Sequence, residues 1–236
     1  MRVSGILMQL TVRDVSKLLK VSEKTIYRWI KSGKLPAYRV SDQYRFSRPE
    51  LLEWATARRV GISPEVLTEP RMDDATPASL LDAIKTGGIY YRIDGKDKRA
   101  SLRSLVEVMK LPDEVDRDAL LAALLAREEL ASTGIGQGVA IPHVRGPVVL
   151  HVEKPILSLG FLSEPIDFDA IDKKPVGALF FLICPTIRTH LHLLSRLSYV
   201  LQQESFMALI QQQTLREAIV QELGQIEAPL EDNLSS

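Results

Sequence analysis

Residues 132–143, STGIGQGVAIPH, set glycines at positions 134, 136 and 138 and end on a Pro-His pair. A dinucleotide-binding fingerprint needs glycine at its first, third and sixth positions, after a strand and opening a helix. Counting from Gly134, the sixth position is Val139, and Val-Ala-Ile-Pro downstream starts no helix. A phosphate loop of the Lys-Ser/Thr type is excluded as well, because no such pair follows the glycines. Upstream, RDALLAALLAREEL (117–130) has apolar residues at helical spacing. The stretch therefore reads as a helix that gives way to a Gly-rich entry and then to a short extended segment ending at His143.

Working outward, PASLLDAIKTG reads as a helix and GIYYRI as a strand, with amphipathic helices over about 98–110 and 113–130. The extended segment before His143 covers about 138–142. PILSLGFL and VGALFFLICP are nearly continuous apolar runs, as expected of strands buried on both faces. RTHLHLLSRLSYVLQQ and TLREAIVQELG complete the pattern as helices, and in QIEAPLEDNLSS the residues 227–236 read as a disordered tail. Strands mixed with helices in this order predict an α/β domain over 78–226, three-layered with a mixed central sheet. Residues 60–77, rich in Pro, Gly and acidic side chains, read as a linker from a first domain over 1–59.

Charge divides the same way. The chain of 236 residues has a formal net charge of +0, yet residues 1–60 hold 13 Lys/Arg against 5 Asp/Glu, and the remainder 17 against 25. One end suits a polyanion and the other does not. The longest apolar run is too short to span a bilayer, the N-terminus lacks the pattern of a signal peptide, and Cys184 is the only cysteine. These features predict a cytoplasmic protein, not bound to membrane, with a reduced, buried thiol.

In the basic end, Thr11 caps a helix with Asp14 three residues on, and Val12, Val15, Leu18 and Leu19 form one apolar stripe. Ser22 caps a second helix that turns Ile26, Trp29 and Ile30 inward and is stopped by Gly33. Its outward face carries Lys24, Thr25, Tyr27, Arg28 and Lys31, which suits a recognition helix in the major groove of double-stranded DNA. AYRV-SDQ-YRF reads as a β-hairpin wing with Arg39, Tyr44 and Arg45 beside the phosphates. Ser47 and Pro49 open a last helix in which Leu51, Leu52 and Trp54 pack back. On these residues, most specifically VSEKTIYRWIKSGKLPAYRV, the first domain resembles the excisionase/MerR-like winged helix-turn-helix family. Lys20 departs from the glycine common there; a left-handed lysine would cost about 1–2 kcal/mol.

A histidine at the end of a short strand suits phosphoryl acceptance, because neutral imidazole is a nucleophile near pH 7 once one ring nitrogen is held by a hydrogen bond. The loose transition state spreads charge over three oxygens, so donors and a nearby cation do most of the work. Ser132, Thr133, Gly134 and Gly136 are the candidate phosphate-binding donors, and Arg127 the candidate cation. His190 and His192, two apart on a helix, face away from one another, so no metal site is expected, and no cofactor is implied. LLAREELASTGIGQGVAIPH, followed by FDAIDKKPVGALFFLICP and THLHLLSRLSYVL, closely resembles the enzyme IIA domains of the phosphotransferase system, in the nitrogen-regulatory and mannitol/fructose branch. The resemblance runs over about 78–224. It implies that His143 is the phosphorylated histidine, that Arg127 is the active-site arginine, and that His190 is the second active-site histidine. It also implies a phosphoryl donor of the HPr type or its nitrogen-branch relative. The family's Pro-His-Gly-Lys is Pro-His-Val-Arg here, so Val144 stands where glycine would leave the backbone free; His151 matches nothing in the family.

The expectation is a DNA-binding regulator whose second domain carries phosphohistidine, a phosphotransferase component rather than a stand-alone catalyst. Two alternatives stay open: a phosphocarrier that hands its group to an enzyme IIB in sugar uptake, and an interaction module that is never phosphorylated. The sequence leaves a homodimer open too.

Overall fold

The computed structural model describes residues 8–40, 43–47, 51, 54–55, 58, 60, 78–113, 115–144 and 152–235. Pro49, Leu52, His151 and all of the expected linker but Val60 lie outside these residues. The chain divides into two compact units, Met1–Asp73 and Asp74–Ser236.

In the first unit, β1 (Met8–Leu10) leads into α1 (Val12–Leu18) and α2 (Glu23–Lys31), followed by β2 (Tyr38–Val40) and β3 (Gln43–Ser47). The Thr11 hydroxyl accepts from the Asp14 N–H, and the Asp14 carboxylate accepts from Thr11 N–H and Oγ1, a complete capping box. Lys20 has φ 51°, and Val21 N–H reaches back to the Ser16 carbonyl at 3.0 Å. At the end of α2, Gly33 has φ 66° and Lys34 N–H reaches the Trp29 carbonyl at 2.9 Å. Both helices thus close by a Schellman-type turn, one with the glycine that favours it and one with lysine. Val12, Val15, Leu19, Ile26, Leu35, Phe46, Leu51, Trp54 and Ala55 form the core, with Trp29 and Ile30 half-buried against it. The wing was expected as a two-stranded hairpin; it is the larger part of a three-stranded sheet, order β1-β3-β2, because β1 pairs antiparallel with β3.

The second unit carries a mixed five-stranded sheet, order β4-β7-β8-β6-β5. Its strands are β4 (Ile89–Ile93), β5 (Gly134–Gly136), β6 (Val139–Ala140), β7 (Ile156–Ile166) and β8 (Val176–Ile183). Pairing is parallel for β4 with β7 and for β6 with β8, and antiparallel for β7 with β8 and β5 with β6. The helices are α3 (Leu80–Gly87), α4 (Lys98–Val108), α5 (Arg117–Leu130), α6 (Ile187–Val200), α7 (Glu204–Gln211) and α8 (Arg216–Ser235). On one face of the sheet, Leu102, Leu105 and Val106 of α4 and Leu120, Leu121 and Leu124 of α5 pack with Leu179, Phe181 and Ile183 of β8. Phe180, on the opposite face of β8, meets Phe206 of α7. Alternate residues of one strand thus enter two cores, which is why that strand reads as an unbroken apolar run.

Two elements differ from expectation. ESFMALIQ is a helix, α7, that the sequence pattern did not announce; it buries Phe206, Met207 and Ile210. The tail expected to be disordered from 227 is instead the end of α8, which continues through Pro229 to Ser235. What holds it is non-local. Glu227 is buried, and its carboxylate accepts from Leu80 N–H at 2.9 Å, Leu81 N–H at 2.7 Å and Arg196 Nη1 at 2.9 Å. With the Ser79 hydroxyl on Asp82 N–H, the first turn of α3 has its donors satisfied.

Candidate functional site

The glycine stretch is built for a hairpin. Gln137 (φ 53°) and Gly138 (φ 80°) are the two central residues between β5 and β6, and positive φ at both is what a tight two-residue hairpin turn requires. Asp172 braces the turn by accepting from Gln137 N–H at 2.8 Å. This hydrogen bond is the first cause that holds the Asp172 carboxyl below its ordinary pKa. Gly134 answers a different need, since a Cβ there would stand 2.8 Å from the Ala170 Cα.

The hairpin delivers His143. Beyond β6 the chain keeps its parallel register with β8, from Val139 opposite Ala178 to His143 opposite Leu182. The His143 side chain is 4 % exposed, and its Nδ1 lies 2.8 Å from the Ile141 carbonyl oxygen. A carbonyl can only accept, so Nδ1 carries a proton, and in a neutral ring the lone pair is then on Nε2. The His190 ring, from the first turn of α6, lies 5.2 Å away, centroid to centroid, at 38°. Val144 packs against the core and is not among the described non-glycine residues with positive φ, so the valine brings no left-handed strain after the histidine.

Arg127 sits in the last turn of α5, 7 % exposed, with Nη1 donating to the Ala131 carbonyl at 2.8 Å. A cation suits that end of the helix dipole. Three of the four expected phosphate donors have partners within the protein. Ser132 Oγ donates to the Phe168 carbonyl, and Gly134 N–H donates to Ser132 Oγ at 3.0 Å. Thr133 gives its N–H and its hydroxyl to the buried Glu128 carboxylate. Gly136 has φ 88° at the hairpin turn. These groups organise the backbone around the histidine; in this arrangement the donors of Ser132, Thr133 and Gly134 are already committed. Sequence reasoning passed over Glu128 and Asp172, although an acid beside Arg127 and four residues before a Ser-Thr-Gly run was a usable signal for the first of them.

In the first unit, Lys24, Arg28 and Arg39 are exposed and Thr25 is half-buried, its hydroxyl 3.1 Å from that of Ser22 in the helix cap. Arg45 is tied to its own strand, donating to Gln43 Oε1 at 2.7 Å and to the Tyr44 carbonyl at 3.3 Å. Tyr27, 49 % exposed on α2, meets Tyr44 of β3 edge-on at 6.2 Å. The helix surface and the wing are thereby joined into one basic, aromatic face.

Comparison with known proteins agrees with both units. Residues 10–59 match the family described as "Helix-turn-helix domain". Over 128 residues the chain is 37 % identical to a nitrogen regulatory protein of Pseudomonas aeruginosa, covering 52 % of this chain and 80 % of that one. Over 91 residues it is 45 % identical to the fructose-specific EIIA component of a phosphotransferase system from Haloferax volcanii, covering 38 % of this chain and 57 % of that one. The crystal structure of the nitrogen regulatory protein IIA-Ntr from Neisseria meningitidis superposes with a TM-score of 0.51 at 31 % identity, covering 57 % of this chain and 92 % of that one. Residues 83–225 match the family described as "Phosphoenolpyruvate-dependent sugar phosphotransferase system, EIIA 2", and the chain, with a helix-turn-helix domain ahead of that match, belongs to this family.

Proposed function

We propose that the protein is a DNA-binding regulator whose second unit accepts a phosphoryl group on His143 Nε2 from a phosphohistidine of an HPr-type carrier. The observation that carries the reading is the Nδ1 contact to the Ile141 carbonyl, which leaves Nε2 as the basic nitrogen beside His190. In the transfer, the Nε2 lone pair forms the new N–P bond while the donor's N–P bond breaks and its electron pair stays with the donor imidazole. The proton stays on Nδ1, donated to the Ile141 carbonyl throughout, so no base is needed. Arg127 and His190 stabilise the charge on the three transferring oxygens.

The test is labelling of the full chain from phosphoenolpyruvate through purified general phosphotransferase proteins. Wild type should be labelled and His143→Ala should not; label persisting in His143→Ala would overturn the assignment. Arg127→Ala and His190→Ala should each slow transfer by about 10- to 1,000-fold, as loss of one preorganised donor does. Similarity to a fructose-specific EIIA component favours a second reading, onward transfer to an enzyme IIB. Rapid loss of label on adding such a protein would support it.

For the first unit, the exposed Lys24, Arg28 and Arg39 and the strand-bound Arg45 support contact with DNA. Substituting the wing arginines should weaken all sequences alike and lower the salt slope by about one unit each, whereas Arg28→Ala should change sequence preference. A phosphoryl group adds close to two negative charges to the acidic unit. Phosphorylation should therefore shift operator affinity at fixed salt, and by linkage DNA shifts the phosphorylation equilibrium by the same factor.

A further inference from the structure

The His143 ring is held by a ladder of contacts that begins on a residue outside the catalytic set. Glu128, one position beyond Arg127 on α5, is 8 % exposed. Its carboxylate accepts Thr133 N–H at 3.0 and 3.2 Å and Thr133 Oγ1 at 2.7 Å. Thr133, itself 5 % exposed, uses its carbonyl to accept Ile141 N–H at 3.0 Å. The carbonyl of Ile141 then accepts His143 Nδ1 at 2.8 Å. Each rung fixes one residue by groups on both of its sides. Lys98 Nζ also lies 3.6 Å from Glu128 Oε1 and 2.6 Å from Asp169 Oδ2.

We propose that Glu128 is the positioning residue of the His143 site: through Thr133 and Ile141 it sets the imidazole with its proton on Nδ1 and its lone pair on Nε2. The proposal rests on the reading of His143 as phosphoryl acceptor but adds to it a residue that touches neither imidazole nor phosphate. The geometry favours this over a role in stability alone. A carboxylate that only closed the end of α5 would need one bond to the following turn, whereas Glu128 takes both donors of the residue that receives Ile141. The same short connection, 127 to 133, also joins Arg127 to the strand paired with β6. One carboxylate thus fixes the cation's helix against the nucleophile's strand.

The test uses the full chain in four forms: wild type, Glu128→Ala, Glu128→Gln and Thr133→Val. Nitrogen NMR of the ¹⁵N-histidine protein reads the tautomer of neutral His143, and single-turnover phosphotransfer reads the rate. Wild type should be held as the Nδ1–H form. Glu128→Ala should lose that preference and slow transfer by about 10- to 100-fold, the size seen when the outer partner of a ligating imidazole is removed. Glu128→Gln keeps an acceptor for Thr133 N–H and should recover part of both signals. Thr133→Val removes only the hydroxyl and should fall between wild type and Glu128→Ala; it carries the test if Glu128→Ala fails to fold. Folded variants that are less stable yet keep the wild-type tautomer and rate would overturn the proposal. If the wild type accepts no phosphate but the tautomer still responds to Glu128, the phosphoryl-acceptor reading fails and the positioning role stands.

Discussion

Truncating Glu227 to alanine tests whether the chain's last turns belong to the fold. The side chain is 2 % exposed and its partner Arg196 is 0 % exposed. Three hydrogen bonds end on the one carboxylate, from Arg196 and from the first two amides of α3. Removing one member of a buried ion pair costs about 3–5 kcal/mol, since the other charge stays desolvated. The two α3 amides lose their acceptor in the same step. For a unit of this size, about 3–5 kcal/mol corresponds to a fall in Tm of roughly 6–20 °C. Replacing both charges, as in Arg196→Met with Glu227→Leu, should recover the ion-pair part but leave about 1–3 kcal/mol for amides without a partner. Both tryptophans, Trp29 and Trp54, lie in the first unit. Tryptophan fluorescence should therefore be unmoved by Glu227→Ala while the transition seen by calorimetry or far-UV circular dichroism shifts. A shift below about 1 kcal/mol would refute the burial of this carboxylate and return the segment to a disordered tail.

Three further outcomes follow from named residues. Lys20→Gly should stabilise the first unit by about 0.5–1 kcal/mol, the left-handed penalty less the added freedom of the unfolded chain, and raise its fluorescence-detected Tm by several degrees; no gain would contradict φ 51° at that position. Gly134→Val should cost about 1–3 kcal/mol and slow phosphotransfer, because the new Cβ meets the Ala170 backbone at 2.8 Å; wild-type stability would show that the hairpin yields freely. Burial pushes the Cys184 thiol from 9.0 up to about 12, so the folded state binds the proton more tightly than the unfolded one. Stability contributed by Cys184 is then present below pH 9 and lost by about 1.4 kcal/mol per pH unit between 9 and 12. Cys184→Ala should flatten that alkaline limb, and an unchanged slope would place the loss elsewhere.

What the sequence made legible is what short-range chemistry dictates. Thr11 with Asp14, Ser22 with Thr25 and Gly33 at the end of α2 are signals read within a few residues, and each has the hydrogen bond or dihedral expected of it. The apolar runs of β7 and β8 announced burial on both faces for the same reason. Illegible features depend on distant partners. Glu227 lies 147 residues from Leu80, so its tail reads as polar, Pro-interrupted sequence until α3 is placed against it. The short α7 is flanked by polar residues, and its contact with Phe180 shows where its apolar face goes.

The glycine motif leads to His143 through an incomplete reason. Alternating glycines beside serine and threonine suggest a phosphate cradle, because open backbone amides attract anions. The structure has other uses for them: Gly138 turns the hairpin, Gly134 admits the Ala170 backbone, and Ser132 and Thr133 bind Phe168 and Glu128. Those contacts all serve the placement of one ring, fixed at Nδ1 by a backbone carbonyl and faced by a second histidine from another helix. An imidazole so oriented, acting as the nucleophile proposed above, requires little of its own loop by way of charge stabilisation. In the proposed transfer that task falls to Arg127 and His190, which arrive from helices on either side of it in sequence. The proposed chemistry at His143 should therefore depend most on what keeps α5, the hairpin and α6 in register, the Thr133 hydroxyl on Glu128 included.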